Sequence, residues 1–114
     1  MGQYVITEEH RNWLCRRAFQ SGHMEACGFI LACGKIVEVR NVSNSPNKSY
    51  AMNQYDVLNK VGVENLSNIV AVWHTHPSGS VKPSAIDQDA LFSGAIQQHW
   101  AYLIVTKETV TQYD

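Results

Sequence analysis

The run IVAVWHT, residues 69–75, limits how this chain can fold more than any other segment. Its residues are mostly apolar and β-branched, which is typical of a central strand that is buried on both faces of a sheet. The 114 residues are enough for one domain, 1–114, with a single hydrophobic core. We therefore expect a fold built around this strand, with no need for stabilising disulfides or a structural metal.

A helix is predicted near the start of the chain, over TEEHRNWLCRRAFQSG. It begins after Thr7, a candidate N-cap, and two glutamates follow where the positive end of the helix dipole favours acids. Gly22 is a candidate terminator of this helix. The apolar positions predicted to share one helical face are Trp13, Leu14, Ala18 and Phe19.

A hairpin, a loop and a second helix are predicted next. The β-rich runs ACGFILA and KIVEVRNV flank Gly34, which favours a hairpin. The polar segment SNSPNKSYAMN has no periodicity and is predicted to be a loop. Asn53 is a candidate cap for a helix that continues through Gly62. The predicted apolar positions of that helix are Tyr55, Leu58, Val61 and Val63.

The remaining segments complete the predicted fold. Ser84 begins SAIDQDALFSGAIQ, a third predicted helix, and AYLIVT follows as a strand. A last strand, TVTQYD, is predicted after a turn at Lys107 and Glu108. This order of elements indicates an α/β (α+β) fold with a single mixed β-sheet flanked by helices.

Composition excludes several classes of function. Nine Lys and Arg against ten Asp and Glu give a formal net charge of −1, which supplies no basic field for nucleic acid. The apolar runs are too short to span a membrane, and the polar start MGQYVITEEH does not resemble a signal peptide. We therefore expect a soluble, cytoplasmic protein with neither a nucleic-acid nor a membrane partner.

The three cysteines, Cys15, Cys27 and Cys33, do not have the spacing of a redox or zinc motif. Three cysteines cannot all pair within one chain, and a reducing cytosol favours free thiols. A Cys27–Cys33 disulfide would require the strands that carry them to pair in a suitable register. The favoured prediction is therefore small, reduced and buried cysteines.

Two histidines stand at the end of the predicted central strand. Residues two apart point to the same side of a strand, so His74 and His76 should project together. This spacing suits one metal ion, although histidines at strand ends also cap backbone groups. Asp87 is ambiguous too: with Ser84 it fits a helix-capping pattern, yet the intervening loop can bring its carboxylate to the histidines. Two histidines and one aspartate would leave the fourth position of a zinc ion for water, as in catalytic sites.

A hydrolytic zinc site also needs a group that accepts and delivers protons. Glu25 is a candidate because it immediately precedes the apolar strand ACGFIL. Its position alone does not separate it from ordinary solvated acids. Those other glutamates are Glu8, Glu9, Glu38, Glu64 and Glu108.

The spacing of these residues resembles the JAMM motif of the MPN or JAB-domain zinc metallopeptidases. That motif is an upstream glutamate, then H-x-H-P, six residues, serine, two residues and aspartate. Here Glu25 in MEACGFIL precedes HTHP, and Ser84 and Asp87 follow at the same intervals. The cysteine-glycine pair after the glutamate is also present, as Cys27-Gly28. The resemblance covers nearly the whole chain, and it implies a cytidine-deaminase-like JAB/MPN architecture.

The resemblance also implies a role for each of these residues. His74, His76 and Asp87 would bind one Zn²⁺ per chain, and Glu25 would be the general acid/base. Ser84 would hydrogen-bond the oxyanion that forms during hydrolysis. The implied reaction is hydrolysis of a peptide or isopeptide bond in a protein or peptide substrate.

The short chain resembles a compact prokaryotic or phage member, because it has no room for long substrate-binding insertions. Candidate substrates are the tail of a ubiquitin-like or sulfur-carrier protein and a phage-tail component. The alternative is a non-catalytic MPN-type scaffold or binding module. A nucleic-acid-linked role like that of RadC-type proteins, suggested by the HPSG segment, conflicts with the net charge. The oligomeric state is left open.

Overall fold

A computed structural model describes residues 5–80 and 100–113. The helices in these ranges are α1 (Glu8–Ser21), α2 (Gln54–Val61) and a 3₁₀ helix (Val63–Asn68). The strands are β1 (Cys27–Leu31), β2 (Ile36–Val39), β3 (Ile69–Thr75), β4 (Ala101–Val105) and β5 (Val110–Tyr113). None of these helices is both long enough and apolar enough to cross a membrane. The predicted third helix, with Ser84 and Asp87, lies outside the described residues.

The five strands form one mixed sheet in the order β2-β1-β3-β4-β5. Strand β1 is antiparallel to both β2 and β3, whereas β3 and β4 are parallel. Strand β5 pairs antiparallel with β4 at the far edge. The predicted mixed sheet is therefore confirmed, and IVAVWHT is its central strand.

Apolar side chains cover both faces of the sheet. The α2-side face is filled by Phe29, Leu31, Val37, Val39, Val61, Ile69, Val72, Tyr102 and Ile104. The α1-side face is filled by Leu14, Ala18, Ala26, Ile30, Ala71, Trp73, Ala101, Leu103, Val105 and Val110. Strand β3 contributes to both sets, which explains why its sequence is almost continuously apolar.

A bulge interrupts the pairing of β1 with β3. Ile30 pairs with Ala71 and Leu31 with Ile69, so Val70 has no counterpart on β1. Because of this extra residue, Ile69 and Val72 lie on the same face although they are three positions apart. Beyond the bulge, strict alternation resumes toward the end of β3.

Helix α1 begins and ends as predicted. The Thr7 hydroxyl accepts a hydrogen bond from the His10 backbone N–H at 3.1 Å, and Gly22 follows the last turn with φ of 62°. Leu14 is fully buried, but the prediction that Phe19 shares its apolar face is wrong, because the Phe19 side chain is 69% exposed. Phe19 lies instead beneath the Lys107 ammonium, which is 5.6 Å from the ring centroid.

Helix α2 is shorter than predicted. Asn53 caps it as expected, with its side-chain oxygen accepting from the Tyr55 and Asp56 N–H groups. The helix ends at Val61 because Gly62 has φ of 88°, a left-handed conformation that cannot continue the helix. The prediction that Val63 continues the apolar face is therefore wrong, and this residue is 69% exposed.

The hairpin of β1 and β2 turns at Gly34 as predicted, with φ of 95°. Close packing at Gly28 holds this hairpin against β3. A Cβ atom there would lie 2.0 Å from the Val37 carbonyl oxygen and 3.0 Å from the Trp73 ring. Only glycine fits this position, which follows directly on Cys27 at the start of β1.

Candidate functional site

The end of β3 brings two histidine side chains together. His74 and His76 are 1% and 7% exposed, and their ring centroids are 4.7 Å apart. The two Nε2 atoms are separated by 2.9 Å. Because His74 follows the alternation of Val72 on the α2-side face, both imidazoles project from that face.

A backbone carbonyl fixes the protonation of the His76 ring. Nδ1 of His76 lies 3.0 Å from the Ser80 carbonyl oxygen, which can only accept a hydrogen bond. Nδ1 therefore carries the proton, and Nε2 presents its lone pair toward His74. Between two neutral rings, His74 then donates from its own Nε2 across the 2.9 Å contact, and a metal bound between the rings would replace this proton. A metal-binding histidine commonly has this kind of carbonyl partner on its second nitrogen.

The histidine pair has the donor chemistry and spacing that zinc requires. Two nitrogens bound to a tetrahedral zinc ion at ~2.0–2.1 Å lie about 3.3 Å apart. The observed separation of 2.9 Å is within a few tenths of an ångström of this value. Among residues 5–80 and 100–113 there is no cluster of three or more metal-binding side chains. The described residues therefore supply two donors, and the predicted third ligand, Asp87, lies outside them.

Glu25 lies at the same end of the sheet as the histidines. Pairing of β1 with β3 extends one step beyond Cys27 and His74, since the Thr75 N–H donates to the Ala26 carbonyl at 2.8 Å. One residue further out, Glu25 precedes Ala26 on the β1 side and His76 follows Thr75 on the β3 side. Glu25 is 6% exposed, which is unusual for a carboxylate and rules out the interpretation as a solvated surface acid.

The backbone of Glu25 is held from both sides by the segment after β2. Its N–H donates to the Pro46 carbonyl oxygen at 2.7 Å. Its own carbonyl accepts from Nδ2 of Asn41 at 2.9 Å. Glu25 also lines an open cleft of about 610 Å³, together with charged residues of α1 and β2. The carboxylate is thus placed on a rigid backbone beside an accessible volume.

The loop of residues 41–51 is organised by Asn41, which sequence reasoning did not identify. Besides Glu25, the Asn41 amide group donates to the Ser49 carbonyl, and its oxygen accepts from the Ser43 and Ala51 N–H groups. An asparagine that bonds to the backbone two residues ahead is a known turn former. The sequence N-x-S therefore contained a signal for this turn, but none for its contact with Glu25.

Tyr50 is the other residue that the sequence did not reveal. Its ring stacks on the His74 imidazole, with centroids 4.5 Å apart and planes inclined by 22°. No spacing rule predicts this contact, because the two residues are 24 positions apart in the sequence, with α2 and the 3₁₀ helix between them. It depends on the path of the loop over the α2-side face of the sheet.

Cys27 pairs with His74 across the strands, yet its chemistry differs from that of a metal ligand. Burial, reinforced by the negative charges of Glu38 and Glu25, raises the pKa of the Cys27 thiol to about 12. The thiol donates to the Val39 carbonyl oxygen at 3.4 Å. Cys27 is therefore a buried thiol whose proton is held by a backbone carbonyl.

The structure brings Glu25, His74 and His76 to one end of the sheet. Of the predicted site residues, Ser84 and Asp87 lie outside the described ranges. The roles assigned to all five residues stay predictions. All three cysteines are free, so the disulfide alternative for Cys27 and Cys33 is wrong.

Comparison with known proteins gives one family and one fold. Residues 7–114 match the family described as prokaryotic homologs of the JAB domain. The solution structure of protein DSY2949 from Desulfitobacterium hafniense is similar, with a TM-score of 0.64 and 20% sequence identity over 95% of this chain and 88% of that one. At this identity the likeness concerns the fold alone. A comparison with curated protein sequences gives no match.

Proposed function

The chain belongs to the prokaryotic homologs of the JAB domain, and from this membership we propose that it is a zinc-dependent metallopeptidase. The reaction is hydrolysis of a peptide or isopeptide bond in a protein substrate. The observation that carries this proposal is the convergence of the His74 and His76 Nε2 atoms at 2.9 Å. A carbonyl that fixes the His76 tautomer is consistent with a ligand prepared for a metal.

In this proposal His74, His76 and Asp87 hold one zinc ion. When bound, zinc polarises the scissile carbonyl and lowers the pKa of its water toward ~7. Glu25 accepts the proton released by the attacking water and delivers it to the nitrogen of the leaving amine. Ser84 donates a hydrogen bond to the oxyanion that develops on the substrate carbonyl.

Two features of Glu25 favour this acid/base role. Its side chain is almost fully buried, which keeps bulk water away from the carboxylate. Its backbone is held on both sides by Pro46 and Asn41, so the carboxylate does not depend on a mobile segment for its position. Both features are expected of a group that must hold and release a proton at a fixed point.

The proposed substrates are the tail of a ubiquitin-like or sulfur-carrier protein and a phage-tail component. Tailed proteins of this kind present a flexible segment that can enter an open site, such as the cleft beside Glu25. A non-catalytic scaffold on the same fold is the competing function. It requires neither zinc nor a buried glutamate.

Elemental analysis of the purified protein tests the metal. We expect about one zinc per chain in the wild type and its loss in His74→Ala. His23→Ala is the matched control, because His23 is an exposed histidine remote from β3 in sequence, and it should keep its zinc. Zinc-free wild-type protein, even after incubation with the ion, would overturn the metallopeptidase proposal in favour of the scaffold.

The Glu25→Gln variant tests the chemistry separately from the metal. The amide preserves size and hydrogen bonding but cannot accept the proton, so we expect zinc to be retained and hydrolysis to fall at least about 100-fold. The assay is cleavage of a tailed ubiquitin-like protein, with a chelator as a negative control. Full turnover by the variant would remove Glu25 from the mechanism.

A further inference from the structure

We propose that Tyr50 is a positioning residue for His74, whose ring it holds in the plane required for metal binding. This inference rests on the proposed zinc site and extends it to a residue that family membership does not assign. Tyr50 would not touch the metal or the substrate carbonyl. It would act through the imidazole on which it stacks.

The stacking geometry restricts the one torsion that matters. The Tyr50 and His74 rings lie 4.5 Å apart and are nearly parallel, so the tyrosine covers one face of the imidazole. Rotation of His74 about its Cβ–Cγ bond would drive the edge of the imidazole into the tyrosine ring. That rotation is also the motion that would carry Nε2 away from His76.

The two histidines are thus oriented by different means. His76 is fixed through a hydrogen bond from Nδ1 to the Ser80 carbonyl oxygen. His74 is fixed against the face of Tyr50, which is itself half-buried. Both contacts direct an Nε2 atom to the same point, as is required of two histidines that bind one metal ion.

The loop that carries Tyr50 is rigid enough for this task. Asn41 makes four hydrogen bonds with Glu25, Ser43, Ser49 and Ala51. The Ser43 and Ser49 hydroxyls lie 2.6 Å apart, and the Val42 N–H donates to the Ala51 carbonyl at 2.8 Å. These bonds hold the residues on both sides of Tyr50, Ser49 and Ala51. The same asparagine that holds the Glu25 backbone therefore also anchors the ring on His74.

The test compares three variants. Tyr50→Leu retains apolar bulk but removes the flat ring, and Tyr50→Phe retains the ring without the hydroxyl. Tyr55→Leu is the matched control, because Tyr55 is a 74% exposed tyrosine on α2. Thermal unfolding of each variant establishes that it is folded before the measurement.

Two readouts are needed. The first is the zinc dissociation constant, measured by competition with a chromophoric chelator. We expect Tyr50→Leu to bind zinc about 10-fold more weakly or worse, and Tyr50→Phe and Tyr55→Leu to stay close to wild type. The second is the NMR shift of the His74 ring protons in the zinc-free protein. The tyrosine ring current should displace these signals in the wild type and Tyr50→Phe, and the displacement should vanish in Tyr50→Leu.

The outcomes separate this inference from the proposed function. If the wild type binds zinc and Tyr50→Leu binds it equally well, the positioning role is overturned while the zinc site stands. If the wild type binds no zinc, the proposed function fails, and the ring-proton shifts then decide whether Tyr50 holds His74. Identical His74 shifts in the wild type and Tyr50→Leu would overturn the inference on their own.

Discussion

At the scale of single residues, burial sets the state of Cys27 more strongly than its neighbours do. The pKa of its thiol is raised to about 12 from an ordinary value of 9.0, first by loss of solvent and then by the charges of Glu38 and Glu25. Below pH 9 both the folded and the unfolded chains keep this proton. Above pH 9 the unfolded chain releases it while the folded chain does not, so stability is lost as the pH rises toward 12.

Cys27→Ala makes this effect measurable. At pH 7 the variant should be less stable than the wild type by roughly 1–2 kcal/mol, because it loses the hydrogen bond to Val39 and some packing. Between pH 9 and pH 11 the difference in the free energy of unfolding should shrink, since only the wild type has the Cys27 thiol whose ionisation in the unfolded chain lowers stability. Urea unfolding at pH 7 and pH 10.5 measures both differences. An unchanged difference would show that Cys27 ionises as readily in the folded as in the unfolded chain.

Residue patterns in the sequence identified the histidine pair but not what orients it. The alternation of β3 and the spacing to Ser84 and Asp87 singled out His74 and His76 without any structure. Tyr50 was not foreseeable, because its contact depends on how a loop of irregular conformation crosses the sheet. Local spacing carries information about residues on one element and little about contacts between elements.

At the scale of elements, hydrogen-bonding caps and glycine conformation decided where the predictions held. Helix α1 was predictable at both ends, since Thr7 and Gly22 are strong local signals. The predicted continuation of α2 to Val63 failed because the apolar spacing outweighed Gly62, whose conformation stops the helix. The placement of Phe19 on the apolar face of α1 was wrong because helical spacing gives the direction of a side chain but not the width of the sheet beneath it.

Gly28 is the element-scale constraint that most directly supports the site. An added Cβ would meet the Val37 carbonyl oxygen at 2.0 Å, which is backbone and cannot move aside alone. We expect Gly28→Ala to lower the free energy of unfolding by roughly 3 kcal/mol or more, because β1 and β2 must separate. Urea unfolding gives the value.

Gly22→Ala provides the comparison for that measurement. No atom lies within 4 Å of a Cβ at this position, although φ is 62°. Its cost should come from backbone strain alone, about 1–3 kcal/mol. A loss at Gly28 no larger than that at Gly22 would show that the strands relieve the contact with the Val37 carbonyl at little cost.

At the scale of the whole molecule, zinc should act as a stabilising ligand. A ligand that binds only the folded state adds about 2.7 kcal/mol when its concentration is 100 times the dissociation constant. Addition of zinc should therefore raise the midpoint of thermal unfolding, and a chelator should reverse the change. His74→Ala should respond to neither. An equal response in the variant would place the bound metal elsewhere on the chain.

The mixed sheet was predictable at this scale because the elements follow a simple order, but the strand arrangement was not. Strands β1 and β3 are separated by a hairpin partner, a loop and two helices, yet they pair directly. The pairing that brings Glu25 to the histidines is thus a property of the complete topology. Forming the β1–β3 pair requires closure of a loop of more than forty residues, and the sequence of a short segment does not specify such a long-range contact.

The bulge at Val70 has a consequence for how the length of β3 can vary among relatives. Counted without interruption from Ile69, every second residue would place Trp73 and Thr75 on the α2 side and turn both histidines toward α1. The bulge therefore absorbs the extra residue, Val70, and keeps Ile69 at the start of the strand on the same face as the histidines at its end. A lineage could exchange most apolar residues of β3 and retain the site. Deletion of Val70 together with the bulge would leave both histidines on the α2 side, whereas a regular strand that kept Val70 without the bulge would point them into the opposite layer of the protein.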